Sequence, residues 1–571
     1  MAGSGSGRAP STLPGDRPEA RTPRRWAPPA FAALVLALWF GFLGVRGLYY
    51  PDEGRYAEIP REMLATGDWV TPRINGYAYF EKPPLQYWLT AATFAVAGQN
   101  AWTARFVPAL AGLAGVLAVL LTARRLLSRR AGWMAAAVMA GSCGYFLSAQ
   151  FVTLDMLLTA LLACALCAFL LAQDARATAA DCRRWMLVAW ALCGLAVLTK
   201  GVVGIVLPAL AIGTYVALRR DWALLRRLHI ATGLLVALAI TLPWFVVVEA
   251  RNPGFSEFFF VREHWQRFTQ PLHQRTGPLW YFVPIAVVFL LPWLPAMTAA
   301  LARSRRGKAA AAPQAFDPGW FGWCWAGAIF VFFSVSSSKL PAYVMPALAG
   351  VAFGAAAPLA RNWAATVRIT AWTLVAGGVL GIAAAVPAAQ FIKVPLVQQS
   401  YAANAGWLVA GSAILVATGV VVLALVRSRR RVPALAVLVA GGMLGCQVGA
   451  VAAQRIDGYF SARRVLDAVT QGQRPFRPEV PFYSVDMFDH TVPFYLGRTV
   501  VLVKERGELD YGIGVSPRDF LADIPAFTAR WVAERDAFAV METDTHAALA
   551  QAGLPMRIVA SDGRRIVVAR R

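Results

Sequence analysis

Residues 49–88 read YYPDEGRYAEIPREMLATGDWVTPRINGYAYFEKPPLQYW and form a polar stretch directly after the first long apolar segment of the chain. This stretch combines acids and bases with several Tyr and Trp side chains. Its charged residues are Asp52, Glu53, Arg55, Glu58, Arg61, Glu62, Asp68, Arg73, Glu81 and Lys82. The other segments of the chain determine how so polar a segment is held beside apolar ones, and which residues face it.

The composition is that of an integral membrane protein. Of the 571 residues, 58% are hydrophobic and 15% are charged, whereas soluble domains carry about 25% charged residues. The net charge of +24 suggests either nucleic acid or anionic lipid as a partner. Most arginines lie in short loops between apolar segments, where the positive-inside rule places them. We therefore predict anionic membrane lipids as partners and no nucleic acid.

Thirteen apolar stretches approach the length of about 20 residues with which a helix spans a bilayer. They are 27–48, 101–123, 132–149, 152–172, 185–199, 201–218, 229–248, 279–301, 319–335, 340–359, 369–389, 406–426 and 432–452. Every second connection between them is rich in arginine, which places those connections on the cytoplasmic side. The polar stretch and the loop around it, 49–100, then lie on the opposite, outer side.

The segment LQYWLTAATFAVAG, 85–98, breaks this alternation if it is counted as a span. It is only fourteen residues long, and its polar residues Gln86, Thr90 and Thr93 share one helical face. We predict a helix that lies in the membrane interface and begins after two prolines, which a first helical turn tolerates. A second short interfacial helix is predicted at YAEIPREMLATG, 56–67.

The composition changes after residue 452, where short strand patterns alternate with helical ones. The strand patterns are PFYSVDM, TVVLV, DAFAVME, RIVASDG and RIVVAR, and the helical ones are SARRVLDAVTQ, DFLADIPAFTARWVAE and THAALAQAG. Residues 453–571 are therefore predicted to form a small α/β domain, on the outer side because the number of spans is odd. Residues 1–26 are predicted to be a disordered cytoplasmic N-terminus, and 27–452 a transmembrane domain whose first helix is retained.

Carboxylates on the outer side are the first candidate site residues. Asp52 and Glu53 follow an outward-going helix, where a carboxylate can act as a general base or orient a hydroxyl or an amine; the alternative is a solvated loop acid. Asp155 lies at the outer end of an apolar helix, where an ionisable residue is costly and usually functional. Helix capping is the alternative role for Asp155.

Cations on the same side predict an anionic ligand, since the positive-inside rule disfavours them there. They are Arg55, Lys82, Arg262, Arg267 and Lys339, and Tyr343 lies near the last of them. A lysine can hold a phosphate as a point charge. An imidazole such as His264 together with a carboxylate such as Glu81 suits a divalent metal like zinc; His273 could replace His264, whose alternative role is an interfacial hydrogen bond.

Together these motifs resemble a known family. Residues 49–88, TLD at 153–155, EHWQRF at 263–268 and KLPAYVMP at 339–346 resemble the integral-membrane type C glycosyltransferases. DMFDHTVPFYLGRTVVLV at 486–503 is similar to the soluble tail of the 4-amino-4-deoxy-L-arabinose lipid A transferases, a branch related to protein O-mannosyltransferases. The resemblance implies a type C glycosyltransferase fold with thirteen transmembrane helices, interfacial helices after the first span and a periplasmic α/β domain.

The resemblance also implies an activity and its site. The activity is transfer of aminoarabinose from undecaprenyl phosphate to lipid A phosphates at the periplasmic face of a bacterial inner membrane, which gives resistance to polymyxin and other cationic antimicrobial peptides. Asp52 and Asp155 are then the functional acids, with Glu53 beside them. Residues expected to bind phosphate or substrate are Arg55, Tyr56, Tyr79, Lys82, Arg267, Lys339 and Tyr343. Glu81 and His264 would hold zinc, no nucleotide cofactor is expected, and the protein is expected to be a monomer.

Two other functions stay open at this point. The first is a glycosyltransferase that uses a polyprenyl-phosphate-linked sugar but acts on protein or another glycan. The second is a lipid or ion transporter, a class that usually carries ionisable residues near the middle of the membrane and often shows repeat symmetry. Here the charges cluster at one outer face and no repeat is evident, which favours an enzyme.

Overall fold

A bundle of apolar helices carries a layer of short elements and a C-terminal sheet domain. The computed structural model describes residues 27–266, 277–306, 316–454, 457–471, 477 and 479–570. The bundle helices are Ala27–Phe40, Ala101–Leu126, Arg129–Ala140, Cys143–Ser148, Leu154–Ala172, Ala179–Lys200, Val203–Arg219, Ile230–Arg251, Phe282–Leu290, Leu294–Arg306, Pro318–Val335, Met345–Arg361, Trp363–Ala385, Pro395–Arg427 and Arg431–Gln454. Short helical segments at Trp222–Leu228, Glu257–Gln266, Leu279–Tyr281, Pro341–Val344 and Pro387–Phe391 lie between them.

Each of the thirteen apolar stretches predicted to span coincides with helix. In the described part of the chain, nine helices are long and apolar enough to cross a membrane, and Leu279–Leu290 with Leu294–Arg303 forms a tenth candidate that bends by 109°. Helices at the three remaining places are shorter: Ala27–Phe40, Val203–Arg219, and the pair Arg129–Ala140 and Cys143–Ser148. A count of thirteen spans therefore stays a prediction, and the candidate span 279–301 is a bent pair of helices.

The polar stretch folds as a layer of two helices and a hairpin. One helix is Asp52–Thr66, the other is Leu85–Ala97, and β1 (Arg73–Ile74) pairs with β2 (Tyr77–Ala78) antiparallel. At 13 residues, the second helix is too short to span a bilayer, as the sequence indicated. The first helix begins at Asp52, four residues before the predicted start, with both acids of its first turn near the positive end of the helix dipole.

The C-terminal domain is a six-stranded sheet with helices packed on it. Its strands are β3 (Phe482–Val485), β4 (Val501–Val503), β5 (Phe520–Leu521), β6 (Phe538–Glu542), β7 (Met556–Ser561) and β8 (Arg565–Arg570), in the spatial order β5-β4-β3-β6-β8-β7. Its helices are Asp457–Phe460, Arg463–Thr470, Thr491–Leu496, Asp510–Val515, Ile524–Ala533 and Thr543–Gln551, with a 3-10 turn at Gly507–Leu509. Strands β3 to β6 are parallel, and β7 and β8 form an antiparallel hairpin.

Each of the five strand patterns read from the sequence contains a strand, but β5 was missed. It lies in DFLADIPAFTARWVAE, 519–534, which was predicted to be helical throughout. Phe520–Leu521 is only two residues long and pairs with β4 at the sheet edge. A two-residue strand has too little periodicity to be read from sequence, since its conformation depends on the neighbouring strand.

The C-terminal domain packs directly on the polar stretch. The Asn75 side chain donates to the Val500 carbonyl at 2.8 Å and accepts from the Val500 amide at 2.7 Å. Gly54 lies so close to His490 and Thr491 that an added Cβ would come within 2.8 Å of the backbone of both residues. The domain therefore covers the helix that begins at Asp52 and forms part of its surroundings.

Small residues allow the bundle helices to approach closely. Between Pro318–Val335 and Met345–Arg361, a Cβ on Gly322 would lie 2.6 Å from the Gly354 nitrogen and 2.8 Å from the Gly350 carbonyl oxygen. Membrane helices associate largely through such close backbone packing, because lipid provides no hydrophobic drive between them.

We predict that Gly322→Leu destabilises the protein and that Gly327→Leu, in the same helix, does not. An added side chain at Gly322 meets backbone atoms, and such overpacking costs about 1–3 kcal/mol or more. A Cβ at Gly327 meets nothing within 4 Å, so we expect a change within about 0.5 kcal/mol. Thermal unfolding in detergent compares the two variants, and equal melting temperatures would contradict this packing.

Candidate active site

Glu53 is the buried centre of an ion-pair cluster at the start of the helix Asp52–Thr66. Its carboxylate accepts from Arg46 Nη1 at 2.5 Å, and from Arg105 Nε and Nη2 at 2.8 and 2.7 Å. The backbone amides of Tyr49 and Val152 donate to the same carboxylate, at 3.1 and 3.0 Å. One side chain thus connects the end of the first helix, the helix Ala101–Leu126 and the segment before Leu154–Ala172.

The electrostatics of the cluster keep Glu53 ionised. Burial disfavours its carboxylate, but the charges of Arg105 and Arg46 outweigh burial and lower the pKa of Glu53 from 4.5 to about 2. Both carboxylate oxygens are engaged by guanidinium and amide groups. We therefore assign Glu53 a structural role, in place of the catalytic role expected from the sequence.

Asp52, the adjacent residue, has the opposite environment. Its side chain is 54% exposed, and its partner in the structure is Arg55, whose Nη1 lies 3.7 Å from Asp52 Oδ1. An accessible carboxylate at the first turn of a buried helix can approach a ligand without breaking a buried contact. Of the two adjacent acids, Asp52 is the one whose carboxylate is accessible.

Arg55 contacts the Asp52 carboxylate and also a carboxylate of the C-terminal domain. Its guanidinium is buried, Nη2 lies 2.9 Å from Glu508 Oε2 in the C-terminal domain, and Nη1 donates to Tyr79 Oη at 3.3 Å. The role of Arg55 as a phosphate-binding cation stays a prediction, and in the structure its Nη1 and Nη2 already contact two carboxylates and a phenol.

Tyr56 lies within the electrostatic influence of three of the predicted acidic residues. It is buried and stacked on Tyr87, with ring centroids 6.2 Å apart. Burial raises the pKa of Tyr56, and the nearby charges that act on its hydroxyl include Arg55 and the acids Asp52, Glu81 and Asp155. Residues predicted from three separate segments thus share one electrostatic environment.

Asp155 is paired with a lysine that the sequence analysis did not include in the site. Lys200 Nζ lies 2.5 Å from Asp155 Oδ1 and 4.9 Å from the ring centroid of Tyr343. Lys200 ends the helix Ala179–Lys200, at the side predicted from the basic loops to be the outer one, where the positive-inside rule disfavours cations. This predicted outer position is the feature of the sequence that could have indicated a functional lysine.

Lys82 and Glu81 lie in the segment between β2 and the helix Leu85–Ala97. Lys82 Nζ donates to the Glu81 carbonyl at 2.6 Å and lies 3.9 Å from the carboxylate of Glu263. His264 follows Glu263 in the segment Glu257–Gln266, but its side chain, Arg267 and His273 lie outside the described residues. Among the side chains that are described, no three His, Cys, Asp or Glu gather as a metal site.

Lys339 contacts the C-terminal end of the helix Pro318–Val335 and an aromatic ring of another helix. Its Nζ donates to the carbonyls of Ser334 and Ser336 at 2.8 and 2.9 Å, and it lies 5.7 Å from the ring centroid of Phe282. Burial lowers the pKa of Lys339. This lysine stabilises the end of the helix Pro318–Val335, and its predicted role in binding phosphate stays a prediction.

Comparisons with known proteins identify relatives of both the helical part and the C-terminal domain. Residues 26–259 match the family described as dolichyl-phosphate-mannose-protein mannosyltransferase, and residues 468–570 match the aminoarabinose transferase C-terminal domain. The solved structure of ArnT from Cupriavidus metallidurans bound to undecaprenyl phosphate superposes with a TM-score of 0.87 at 38% identity, over 95% of this chain and 97% of that one.

Curated relatives give a consistent result over a shorter alignment. The undecaprenyl phosphate-alpha-4-amino-4-deoxy-L-arabinose arabinosyl transferase of Edwardsiella ictaluri is 34% identical over 56% of this chain and 57% of its own length. A protein of the same name from Pseudomonas aeruginosa is 36% identical over 54% of each. The chain thus spans just over half the length of the curated relatives it matches.

We predict that Glu53→Gln costs about 3–5 kcal/mol of stability, because it leaves Arg46 and Arg105 buried without a counter-charge. Asp52→Asn is the matched control and should change stability by about 0.5 kcal/mol or less. Since the folded-state pKa of Glu53 is depressed to about 2, its contribution is present above about pH 4.5 and is lost as the pH falls toward 2. Thermal unfolding of both variants checks this, and equal stabilities would refute the structural role of Glu53.

Proposed function

Because this chain belongs to the aminoarabinose transferase (ArnT) family, we propose that it transfers 4-amino-4-deoxy-L-arabinose from undecaprenyl phosphate to lipid A phosphates. The observation that carries the proposal is the 0.87 TM-score, at 38% identity, to the ArnT structure bound to undecaprenyl phosphate. The residues of the candidate site are consistent with this reaction, since the exposed carboxylate of Asp52 lies near buried tyrosines and lysines. The physiological result would be resistance to polymyxin and related cationic peptides.

The site offers fixed positive charge for the carrier phosphate. Lys82 and Lys200 lie beside Glu263 and Asp155, with Tyr343 next to Lys200. We propose that these groups, with Arg267, bind the phosphate and stabilise the negative charge that develops on its oxygens when the glycosidic bond breaks. Asp155 then acts through Lys200, by holding its ammonium in place.

The proposed reaction is a single displacement at the anomeric carbon. An oxygen of the acceptor phosphate forms the new bond to that carbon, the bond to the carrier phosphate breaks, and its electron pair remains on the leaving phosphate. An acceptor phosphate with a second pKa of about 6 is largely ionised at neutral pH, so a strong base is unnecessary. Asp52 would orient the acceptor, pair with the ammonium of the donor sugar or stabilise the oxocarbenium-like transition state, and the configuration would invert.

We further propose that the active site faces the periplasm at the bacterial inner membrane. The arginine-rich connections, which favour the cytoplasmic side, alternate with the connections that carry the site residues. Anionic lipids are the proposed membrane partners of the basic loops, and the functional unit is proposed to be a monomer.

A second candidate function keeps the donor class and changes the acceptor. Residues 26–259 match the dolichyl-phosphate-mannose-protein mannosyltransferase family, so a protein or another glycan is the alternative acceptor. A hydroxyl acceptor is not ionised at neutral pH, and Asp52 would then have to act as a true general base.

Lipid A from cells with and without the protein separates the two functions. We predict that the wild type adds one or more aminopentose units to lipid A, as seen by mass spectrometry, and that Asp52→Asn lowers this modification roughly 10²- to 10⁴-fold. Asp544→Asn, at the exposed first turn of the helix Thr543–Gln551, is the control and should be fully active. Full activity of Asp52→Asn would refute its assignment, and a trapped covalent sugar–enzyme intermediate would refute the single displacement.

Zinc held by Glu81 and His264 remains part of the proposal. A carboxylate and an imidazole are ligands that zinc accepts, and the bound metal would add positive charge near the phosphate. We expect elemental analysis of the purified protein to find zinc, and Glu81→Ala to lower its content; a wild type free of metal at full activity would remove this part of the proposal.

A further inference from the structure

Arg55 is shared unequally between two carboxylates. Its Nη2 lies 2.9 Å from Glu508 Oε2, whereas its Nη1 lies 3.7 Å from Asp52 Oδ1. Asp52 belongs to the layer beside the membrane bundle, but Glu508 comes from the 3-10 turn Gly507–Leu509 of the C-terminal domain. The closer partner of the buried cation is therefore supplied by the other domain.

Glu508 is itself held from its other side. Its Oε1 lies directly against Nε2 of His490, whose side chain is only 5% exposed. The imidazole packs between aromatic rings, 5.6 Å from Tyr50 and 4.7 Å from Phe488 by ring centroids. Glu508, with a side chain 20% exposed, thus has a fixed position from which to hold the guanidinium.

Removing the charge of Glu508 would change the pairing of Asp52. A buried guanidinium needs a counter-charge, since an unpaired buried ion is strongly unfavourable. With Glu508 neutral, the nearest remaining carboxylate in the described ion pairs of Arg55 is Asp52, one helical turn away. Arg55 would then close on Asp52 and engage the carboxylate that a ligand has to reach.

From this geometry we propose that Glu508 is a positioning residue of the active site. By holding Arg55, it prevents the guanidinium from forming a tight ion pair with Asp52 and so keeps the Asp52 carboxylate accessible to substrate. The C-terminal domain is then part of the catalytic machinery rather than only a cover for it. The inference rests on the proposed function insofar as Asp52 acts on a sugar donor or its acceptor.

Two variants separate positioning from simple docking of the domain. Glu508→Gln keeps the shape of the side chain and removes its charge. Asn75→Ala is the matched control, because it breaks the two hydrogen bonds to Val500 and does not touch Arg55. We expect Glu508→Gln to lower kcat about 10- to 100-fold with a small change in KM, and Asn75→Ala to keep both values within about 2-fold. Glu508→Asp, which keeps the charge, should recover part of the lost rate.

A measurement that does not depend on activity tests the same geometry. Carbodiimide-coupled amine labelling of the Asp52 carboxylate, quantified by peptide mass spectrometry, should fall several-fold in Glu508→Gln and stay unchanged in Asn75→Ala. Unchanged labelling in Glu508→Gln would overturn the inference, whatever reaction the protein catalyses. Reduced labelling in a protein whose wild type adds no aminopentose to lipid A would support the positioning role and overturn the proposed function.

Discussion

The buried ion-pair cluster of Glu53 with Arg46 and Arg105 is the interaction on which the rest of the site depends. Each of these charges would be strongly unfavourable alone in an apolar bundle. In the cluster the Glu53 carboxylate pairs with both guanidiniums, whose other N–H groups donate to backbone carbonyls. The cluster joins the end of the first helix, the polar layer and the bundle at a single point. The position of the first turn of the helix Asp52–Thr66 against the bundle follows from that connection.

This constraint explains why two adjacent acids have different roles. Consecutive residues at the start of a helix point about 100° apart, so burying Glu53 against the arginines turns Asp52 toward solvent. The buried acid has all its hydrogen-bonding capacity satisfied and is kept ionised by its partners. The exposed one keeps a carboxylate that can meet a substrate, and its orientation is determined by its neighbour.

The C-terminal domain extends the same electrostatic arrangement. Arg55, one turn after Asp52, would be a second buried cation in need of a counter-charge, and Glu508 supplies it from the other domain. Gly54 allows the necessary approach, because a Cβ at this position would collide with the backbone of His490 and Thr491. Close packing and charge compensation thus act together to place the two domains around one accessible carboxylate.

The sequence by itself predicted the broad architecture and the segments from which the candidate site is drawn. Apolar length and the alternation of basic loops predicted the helical segments and the side on which Asp52, Asp155 and Lys82 lie, because bilayer thickness and loop charge act locally along the chain. The strand patterns of the C-terminal domain are likewise determined by short stretches of sequence. The resemblance to type C glycosyltransferases rested on motifs in the same outer segments.

Only the tertiary structure decided which charges pair with each other. Glu53 and Asp52 are indistinguishable as neighbours in a sequence, and the arginine that separates their roles, Arg105, lies 52 residues from Glu53. The pairing of Asp155 with Lys200 and of Arg55 with Glu508 likewise joins residues far apart in the chain. Pairing depends on distance and burial in three dimensions. The partners that bury one carboxylate and leave its neighbour accessible are therefore identified only when the chain is folded.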